Sequence, residues 1–248
     1  MSAAQALSLS SRVHNGRASL LSARRTRTAR PMHAGAAQAA SGKLTLYTNP
    51  RSRSQIVEWY AKELGISYEV QMLDMGAAAL ASSRRATSDP AARGATPGAG
   101  AHKAPAYLKV HPFGQLPAIT CEDGTAVFES GAVILYLADK FDKASQTPEA
   151  RAAAASWVLW SNSSFAPAVF GPSRAAKLPG LLAPLEAKLK ASPFMLGTQF
   201  TVADIAVGAY LAYTKIFFGE EFKAYPAVKE YLDEIEKRPA FHATIGSE

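Results

Sequence analysis

The stretch His111-Pro-Phe-Gly-Gln-Leu-Pro-Ala-Ile-Thr-Cys-Glu-Asp-Gly-Thr-Ala-Val-Phe-Glu-Ser130 decides how the first half of this chain folds. Its segments 118–121 and 125–128 have the composition of two short strands, and the Glu-Asp-Gly turn at 122–124 joins them as a β-hairpin. An apolar run at 132–138 follows, which predicts a helix directly after the hairpin.

Upstream of the hairpin, the pattern predicts a strand, a helix and a second strand. Lys43–Thr48 alternates as a short strand, and Tyr68–Leu73 has the composition of another. Between them, Ile56–Leu64 has apolar residues at helical spacing, and Gly65 is placed to end the helix. A strand, helix and strand of this length form a βαβ unit, which predicts that the two strands are parallel.

Downstream of the hairpin and its helix, every readable segment is helical. The most specific local signal is Thr201-Val-Ala-Asp204, which has the pattern of a capping box, with Phe200 and Ile205 placed as a hydrophobic staple. The chain therefore divides into an α/β domain at 41–141, a linker at 142–147 and an all-helical domain at 148–248.

The formal net charge of +7 suggests an acidic partner, but the distribution of the charge argues against one. Residues 1–40 hold six arginines and no acidic residue, and they are rich in Ser and Ala. This composition is typical of an organelle transit peptide, which is removed after import. We expect a chloroplast address, with the mitochondrion as the alternative.

A second basic segment interrupts the α/β domain at 76–101. It is rich in Ala and Gly, has no hydrophobic period, and carries Asp89 as its only acidic residue. Unstructured stretches of this length are uncommon inside a compact domain, so we interpret the segment as a surface insertion. With both basic segments outside the predicted core, the sequence predicts no nucleic-acid partner.

Other classes of protein are excluded by composition. No apolar run approaches the roughly 18 residues of a membrane-spanning helix, so we expect no membrane partner. The single cysteine excludes a disulfide scaffold and a multi-cysteine zinc site, and we expect no metal.

Several motifs occur together and in a fixed order: His102-Lys103, His111–Pro117, Phe128-Glu-Ser130 and Phe194–Asp204. On these residues the chain resembles a cytosolic-type glutathione transferase, closest to the cyanobacterial chi-like branch and to plant phi-like, serine-type members. The resemblance implies a thioredoxin-like N-terminal domain of order βαβ-α-ββα, with a cis proline at Pro117, and an all-α C-terminal domain. It also implies a homodimer and glutathione as co-substrate.

The activity that the resemblance implies is conjugation of the glutathione thiolate to small hydrophobic electrophiles, with a role in detoxification and stress response. A glutathione peroxidase activity would use the same thiolate. The alternative from a different class is a non-catalytic module of the same fold that binds a ligand or assembles with other proteins.

Conjugation requires a thiolate, and a free thiol with a pKa near 8.5 is only about 3% ionised at pH 7. A bound pKa of about 6.5 needs about 2.7 kcal/mol, which a hydroxyl hydrogen bond and a helix N-terminus together can supply. Ser52, at the start of the first helix, occupies the position of this donor in serine-type members. It also has the capping-box spacing to Gln55, which would make it an N-cap. Ser54 and Tyr47 are the rival donors.

The resemblance places the glutathione backbone along the chain that precedes Pro117. The N–H and C=O of Leu116 would pair with the cysteinyl unit as an added strand, and the Gln115 side chain would assist. His102 and Lys103 would bind the glycine carboxylate.

Glu129 and Ser130 are the predicted clamp for the γ-glutamyl end. Glu129 would bind the ligand ammonium, and Ser130 with the N-terminus of its helix would bind the α-carboxylate. We expect Glu129 to be partly buried, which would require a cationic partner. The alternative for Ser130 is a purely structural N-cap.

Overall fold

The structure, a computed structural model, describes residues 44–76, 100–142 and 147–247. The predicted transit peptide at 1–40 lies outside these ranges, as do most of the insertion at 76–101 and of the linker at 142–147.

Four short strands form one mixed sheet, in the order β2-β1-β3-β4. β1 (Thr45–Thr48) is parallel to β2 (Glu69–Met72), as the βαβ pattern predicts, and antiparallel to β3 (Ala118–Thr120). β3 pairs with β4 (Ala126–Phe128) as the predicted hairpin. Gly124 has a φ of 83° in the turn, a conformation that glycine adopts without a steric penalty.

Helices connect and follow these strands in the predicted order. α1 (Ser54–Leu64) joins β1 to β2 and ends at Gly65, which is left-handed with φ 64°. A 3-10 turn at Ala101–Lys103 and the short helix α2 (Pro105–Leu108) precede β3, and α3 (Ser130–Phe141) follows β4. The order is βαβ-α-ββα, which confirms the thioredoxin-like prediction.

The start of α1 differs from the predicted capping box. The helix begins at Ser54 with Arg53 as its N-cap, and the Arg53 side chain makes no capping bond. Ser52 Oγ instead accepts the N–H of Ser54 at 3.2 Å, and Gln55 Nε2 donates to the carbonyl of Pro50 at 3.4 Å. The predicted capping box of Ser52 with Gln55 is therefore wrong.

The second half of the chain is helical, as predicted. No helix in the described ranges is both long and apolar enough to cross a lipid bilayer. The elements are α4 (Pro148–Trp160), a π-helical turn (Ser161–Phe165), α5 (Ala166–Phe170), α6 (Arg174–Ala191), α7 (Val202–Phe218), α8 (Pro226–Glu236), α9 (Pro239–His242) and a 3-10 turn (Ile245–Ser247).

α7 begins with the predicted capping box. The Asp204 carboxylate accepts the N–H of Thr201 at 2.8 Å, and the Thr201 hydroxyl accepts the N–H of Ala203 at 3.3 Å. Asp204 is fully buried and accepts two further bonds, from the N–H of Met195 at 2.8 Å and from the Tyr231 hydroxyl at 3.0 Å. Asp204 therefore joins α7 to α8 and to the loop before α7.

α1 packs against the helical domain. Trp59 is fully buried, and its ring centroid lies 5.3 Å from that of Phe241 and 6.0 Å from that of Phe200. Glu63 lies one turn after Trp59 on α1, and its carboxylate accepts hydrogen bonds from Nε and Nη2 of Arg238, each at 2.7 Å. α1 thereby connects the α/β domain to the helical domain.

The two ends of the insertion lie side by side. A Cβ at Gly100 would be 2.5 Å from the backbone nitrogen of Gly76 and 2.3 Å from the carbonyl oxygen of Asp74, so only glycine fits there. The His102 side chain also contacts this segment, because its Nδ1 lies 3.2 Å from the Asp74 carbonyl oxygen. The insertion therefore begins and ends at one place in the domain.

Candidate functional site

The predicted site residues lie at one edge of the sheet. β1 and β4 are both antiparallel to β3, and Tyr47 and Phe128 both pair with Ala118. The residues that follow β1, precede β3 and follow β4 therefore come together, at the edge where open α/β sheets bind their ligands. These positions hold Ser52, Leu116 and Glu129.

Asn49 fixes the turn between β1 and α1. Its Nδ2 donates to the carbonyl of Leu73 at 2.9 Å, and its Oδ1 accepts the N–H of Arg51 at 3.0 Å. The N–H of Leu73 in turn donates to the carbonyl of Thr48 at 2.9 Å. The turn that carries Ser52 is thus fastened to the end of β2.

The Ser52 hydroxyl is half-buried in this turn. It donates to the carbonyl of Asn49 at 2.7 Å and lies 2.6 Å from the Ser54 hydroxyl. Because a hydroxyl has one proton, Ser54 is then the donor to Ser52. Ser52 can donate to a ligand sulfur by rotating its O–H away from Asn49. The hydroxyl and the backbone N–H of Ser54 both donate to Ser52 Oγ, and these two bonds would make the Ser52 O–H a stronger donor.

The rival donors are placed differently. Ser54 is fully buried at the first residue of α1. Tyr47 is half-buried, and its ring centroid lies 5.2 Å from that of Tyr107. Accessibility therefore favours Ser52 over Ser54, and the packing of Tyr47 against Tyr107 occupies one side of its ring.

The chain before β3 offers an unused stretch of main chain. The Leu116–Pro117 peptide bond is cis, as the layout predicts. Among the described residues, no hydrogen bond uses the N–H or C=O of Leu116, so both are available to an added strand. The Gln115 side chain is exposed, and the main-chain carbonyl of Gln115 accepts the Tyr107 hydroxyl at 2.6 Å.

His102 and Lys103 lie in the 3-10 turn beside this stretch. His102 is buried, and its Nδ1 must carry a proton to bond the Asp74 carbonyl, so only an imidazolium could also donate from Nε2. Lys103 is exposed, and its Nζ donates to the carbonyl of Phe113 at 2.8 Å. Two ammonium protons of Lys103 remain for a carboxylate, which makes Lys103 the stronger candidate of the pair.

Glu129 and Ser130 lie at the start of α3. Glu129 is exposed, so the prediction that it is partly buried is wrong; the strand end leaves its side chain open to solvent. Its φ of 70° is unusual for a residue with a Cβ, and such strain is concentrated at functional sites. Ser130 is buried and is the first helical residue, with Glu129 as the N-cap, so Ser130 does not cap the helix.

His111 is a buried residue of this edge that the sequence analysis did not single out. Its ring centroid lies 4.7 Å from that of Phe128, and its Nδ1 accepts the N–H of Phe113 at 3.3 Å. Burial lowers the pKa of His111; Lys103 reinforces this effect and Glu129 opposes it. His111 is therefore a neutral packing group between the two ends of the site.

The helical domain supplies two more residues whose contact with this edge the sequence analysis did not predict. The Tyr210 hydroxyl donates to Asn162 Oδ1 at 2.8 Å and lies close enough to the Arg53 side chain to interact with it electrostatically. Asn162 Oδ1 also accepts the Ser130 hydroxyl at 3.4 Å. The available signal was the polar run Ser161–Ser164, which interrupts an otherwise apolar helical segment.

This edge suits a small ligand that carries charges of both signs. Arg53 and Lys103 supply cations, Glu129 supplies a carboxylate, and Leu116 supplies main-chain groups between them. Within the described ranges, no group of three or more His, Cys, Asp or Glu side chains could hold a metal ion.

Comparison with known proteins identifies the family to which this fold belongs. The family model "Glutathione S-transferase, N-terminal domain" matches residues 51–140, and "Glutathione S-transferase, C-terminal domain" matches residues 149–234. Glutathione S-transferase F9 of Arabidopsis thaliana is 32% identical over 176 residues, which cover 59% of this chain and 80% of that protein. Human elongation factor 1-gamma is 28% identical over 163 residues, and the chain spans only 37% of its length.

Solved structures share the fold. A glutathione transferase of Burkholderia graminis, with two glutathione molecules bound per subunit, superposes with a TM-score of 0.65 at 24% identity, covering 83% of this chain and 88% of that one. A theta class glutathione S-transferase of Xanthomonas axonopodis pv. citri, with glutathione bound, gives a TM-score of 0.60 at 22% identity, covering 82% and 96%. By its two domain matches and its plant relative, this chain belongs to the glutathione S-transferase family.

Proposed function

We propose that this protein is a glutathione transferase. The observation that carries the proposal is the convergence, at one sheet edge, of an accessible hydroxyl, an unpaired stretch of main chain and a charged clamp. Ser52 would hold the thiolate, Leu116 the cysteinyl backbone, and Glu129 with Ser130 the γ-glutamyl end. Family membership and the Arabidopsis relative support the same activity.

In the proposed reaction, the glutathione thiol loses its proton to solvent, and Ser52 donates a hydrogen bond to the resulting thiolate. The sulfur then attacks an electrophilic carbon of a small hydrophobic substrate. With a chlorodinitrobenzene, a C–S bond forms, the C–Cl bond breaks, and chloride leaves with the bonding electrons. A glutathione peroxidase activity would begin from the same thiolate.

A second candidate function is favoured by the elongation factor relatives. These proteins match the chain at 27–29% identity, and they are named for translation elongation rather than for glutathione transfer. A fold of this kind that serves as a ligand-binding or assembly module would need no thiolate donor. The test below separates the two functions.

The test is retention of the full chain on immobilised glutathione together with conjugation of glutathione to chlorodinitrobenzene. A transferase is retained and conjugates. A Ser156→Ala variant is the matched control for serine substitutions, because the Ser156 hydroxyl is exposed on α4 and donates only to its own helix, at the carbonyl of Ala152. A chain that does neither is the non-catalytic module.

We also propose that the protein acts as a homodimer in the chloroplast, with the mitochondrion as the alternative. The acid-free, arginine-rich composition of residues 1–40 supports the organelle address. A fluorescent protein fused behind residues 1–40 should enter the plastid, and light scattering should give twice the chain mass. A cytosolic fusion or a monomer mass would contradict these proposals.

A further inference from the structure

A network of side chains joins the two domains behind the Glu129–Ser130 clamp. At its centre is Tyr210, which lies on α7 and is almost completely buried. The Tyr210 hydroxyl donates to Asn162 Oδ1 at 2.8 Å, and it lies close enough to the Arg53 and Ser130 side chains to interact with both. A single hydroxyl of the helical domain therefore contacts the starts of both α1 and α3.

The π-helical turn at Ser161–Phe165 places Asn162 in this network. Asn162 Nδ2 donates to the carbonyl of Val158 at 3.0 Å, so its Oδ1 is turned toward Tyr210 and Ser130. π-helical turns are rare and occur frequently at functional sites. Gly131 allows the approach, because a Cβ there would lie 2.7 Å from Asn162 Nδ2.

The groups held by this network match one end of the ligand. A γ-glutamyl group ends in an ammonium and an α-carboxylate. Glu129 is exposed and suits the ammonium, while the Arg53 guanidinium lies close enough to Glu129 to interact electrostatically. The Arg53 guanidinium is a donor of the kind that a carboxylate binds, and the Ser130 hydroxyl becomes one when its proton rotates away from Asn162 Oδ1. Arg53 has a long flexible side chain, so its position depends on what holds it.

We propose that Tyr210 and Asn162 are positioning residues of the γ-glutamyl subsite, which hold the Arg53 guanidinium and the Ser130 hydroxyl where the ligand α-carboxylate binds. The inference rests on glutathione as the ligand of the proposed function. Loss of the Tyr210 hydroxyl removes a neighbouring polar group from Arg53 and Ser130 and a donor from Asn162, while the thiolate donor Ser52 keeps its contacts.

The experiment is calorimetric titration of the full-length Tyr210→Phe protein with three probes: glutathione, S-methylglutathione and cysteinylglycine. We expect about tenfold weaker binding of the two γ-glutamyl probes, which corresponds to about 1.4 kcal/mol, and unchanged binding of cysteinylglycine. S-methylglutathione has no ionisable thiol, so its weaker binding separates positioning from thiolate activation.

Two further variants sharpen the result. Tyr225→Phe is the matched control, because the Tyr225 hydroxyl lies 3.5 Å from the Pro179 carbonyl, away from the site, and this variant should bind all probes like the wild type. Asn162→Ala should reproduce the selective loss, and it carries the test if Tyr210→Phe does not fold.

Equal weakening of all three probes, or wild-type affinity for all three in both variants, overturns the positioning role. If the variants show the selective loss but the wild type does not conjugate glutathione, the result supports the subsite and contradicts the transferase. A wild type that binds none of the probes overturns both proposals.

Discussion

The Ser52 hydroxyl has one proton, which it donates to the carbonyl of Asn49. The position of Ser52 after the first strand could be predicted from the sequence, but the hydrogen-bond partners of its side chain could not. Asn49 donates to the carbonyl of Leu73, 24 residues further along the chain, and so fixes the turn in which Ser52 lies. The bond between Tyr210 and Asn162, 48 residues apart, could not be predicted for the same reason.

Replacing Ser52 by alanine tests the predicted thiolate donor. Loss of a hydroxyl hydrogen bond to a charged sulfur, about 1.5–3 kcal/mol, raises the pKa of the bound thiol by one to two units. We expect conjugation at pH 7 to fall about tenfold, with a smaller loss at pH 9, where the thiol ionises unaided. The pH profile of the conjugation rate measures this.

Ser54→Ala and Tyr47→Phe identify the donor if Ser52 is not responsible. Retention of full activity by Ser52→Ala, with a loss in one of these variants, would reassign the role to that residue.

At the scale of single elements, signals that lie within a few residues of each other predicted the end of α1 and the cap of α7, but not the start of α1. Gly65 ends α1 in the left-handed conformation, and Thr201 with Asp204 caps α7, because each feature depends on neighbours in the sequence. The exposure of Glu129 and the pair between Glu63 and Arg238, 175 residues apart, depend on how elements pack, which no local pattern contains.

The Glu63–Arg238 pair should be a major contributor to stability. Both side chains are more than nine-tenths buried, and Glu63 also accepts the Trp59 indole N–H at 3.0 Å. Arg238→Met leaves a buried carboxylate without its cation, so we expect a loss of about 3–5 kcal/mol in the free energy of unfolding, measured with urea. Adding Glu63→Gln should recover part of it. A loss below about 1 kcal/mol, as for a surface pair, would contradict this.

Asp204 should give the protein a pH-dependent stability. Burial raises the pKa of Asp204 to about 6, although four hydrogen bonds to its carboxylate oppose the shift. The folded protein thus keeps a proton that the unfolded chain, with a carboxyl pKa near 3.9, has already released. The free energy of unfolding therefore falls as the pH rises from about 4 to about 6, by about 3 kcal/mol, and this contribution is constant above that window.

Urea unfolding of the wild type and of Asp204→Asn at several pH values isolates this effect. The asparagine cannot titrate, so the difference between the two proteins should change across the window. Parallel pH curves would show that Asp204 does not titrate there.

At the scale of the whole molecule, composition and motif order predicted both domains, because the core pattern and the turn residues extend through the chain. The contact between the domains could not be predicted in this way. Arg53 meets Tyr210, and Ser130 meets Asn162, only after α1 and α3 pack against the helical domain. The site residues were therefore predicted in one domain, whereas in the structure two of them contact side chains of the other domain.

Removing residues 77–99 should leave fold and ligand binding intact. Gly76 and Gly100 are already adjacent, so the shortened chain can be joined by a local adjustment of these two glycines. Loop closure contributes only about 0.6 kcal/mol per doubling of loop length, so we expect a small change in melting temperature. Thermal unfolding measures the stability of the deletion variant, and retention on immobilised glutathione measures its ligand binding. Loss of retention in a folded deletion variant would assign the insertion a part in the site.

The central claim is that this sheet edge binds glutathione and ionises its thiol. Its most direct test is the thiolate absorbance of glutathione bound to the full chain, followed as a function of pH. We predict that the bound thiol titrates with a pKa of about 6.5, and that Ser52→Ala returns it toward about 8.5, the value of a free thiol. A bound thiol that titrates like free glutathione, or no binding at all, would contradict the account.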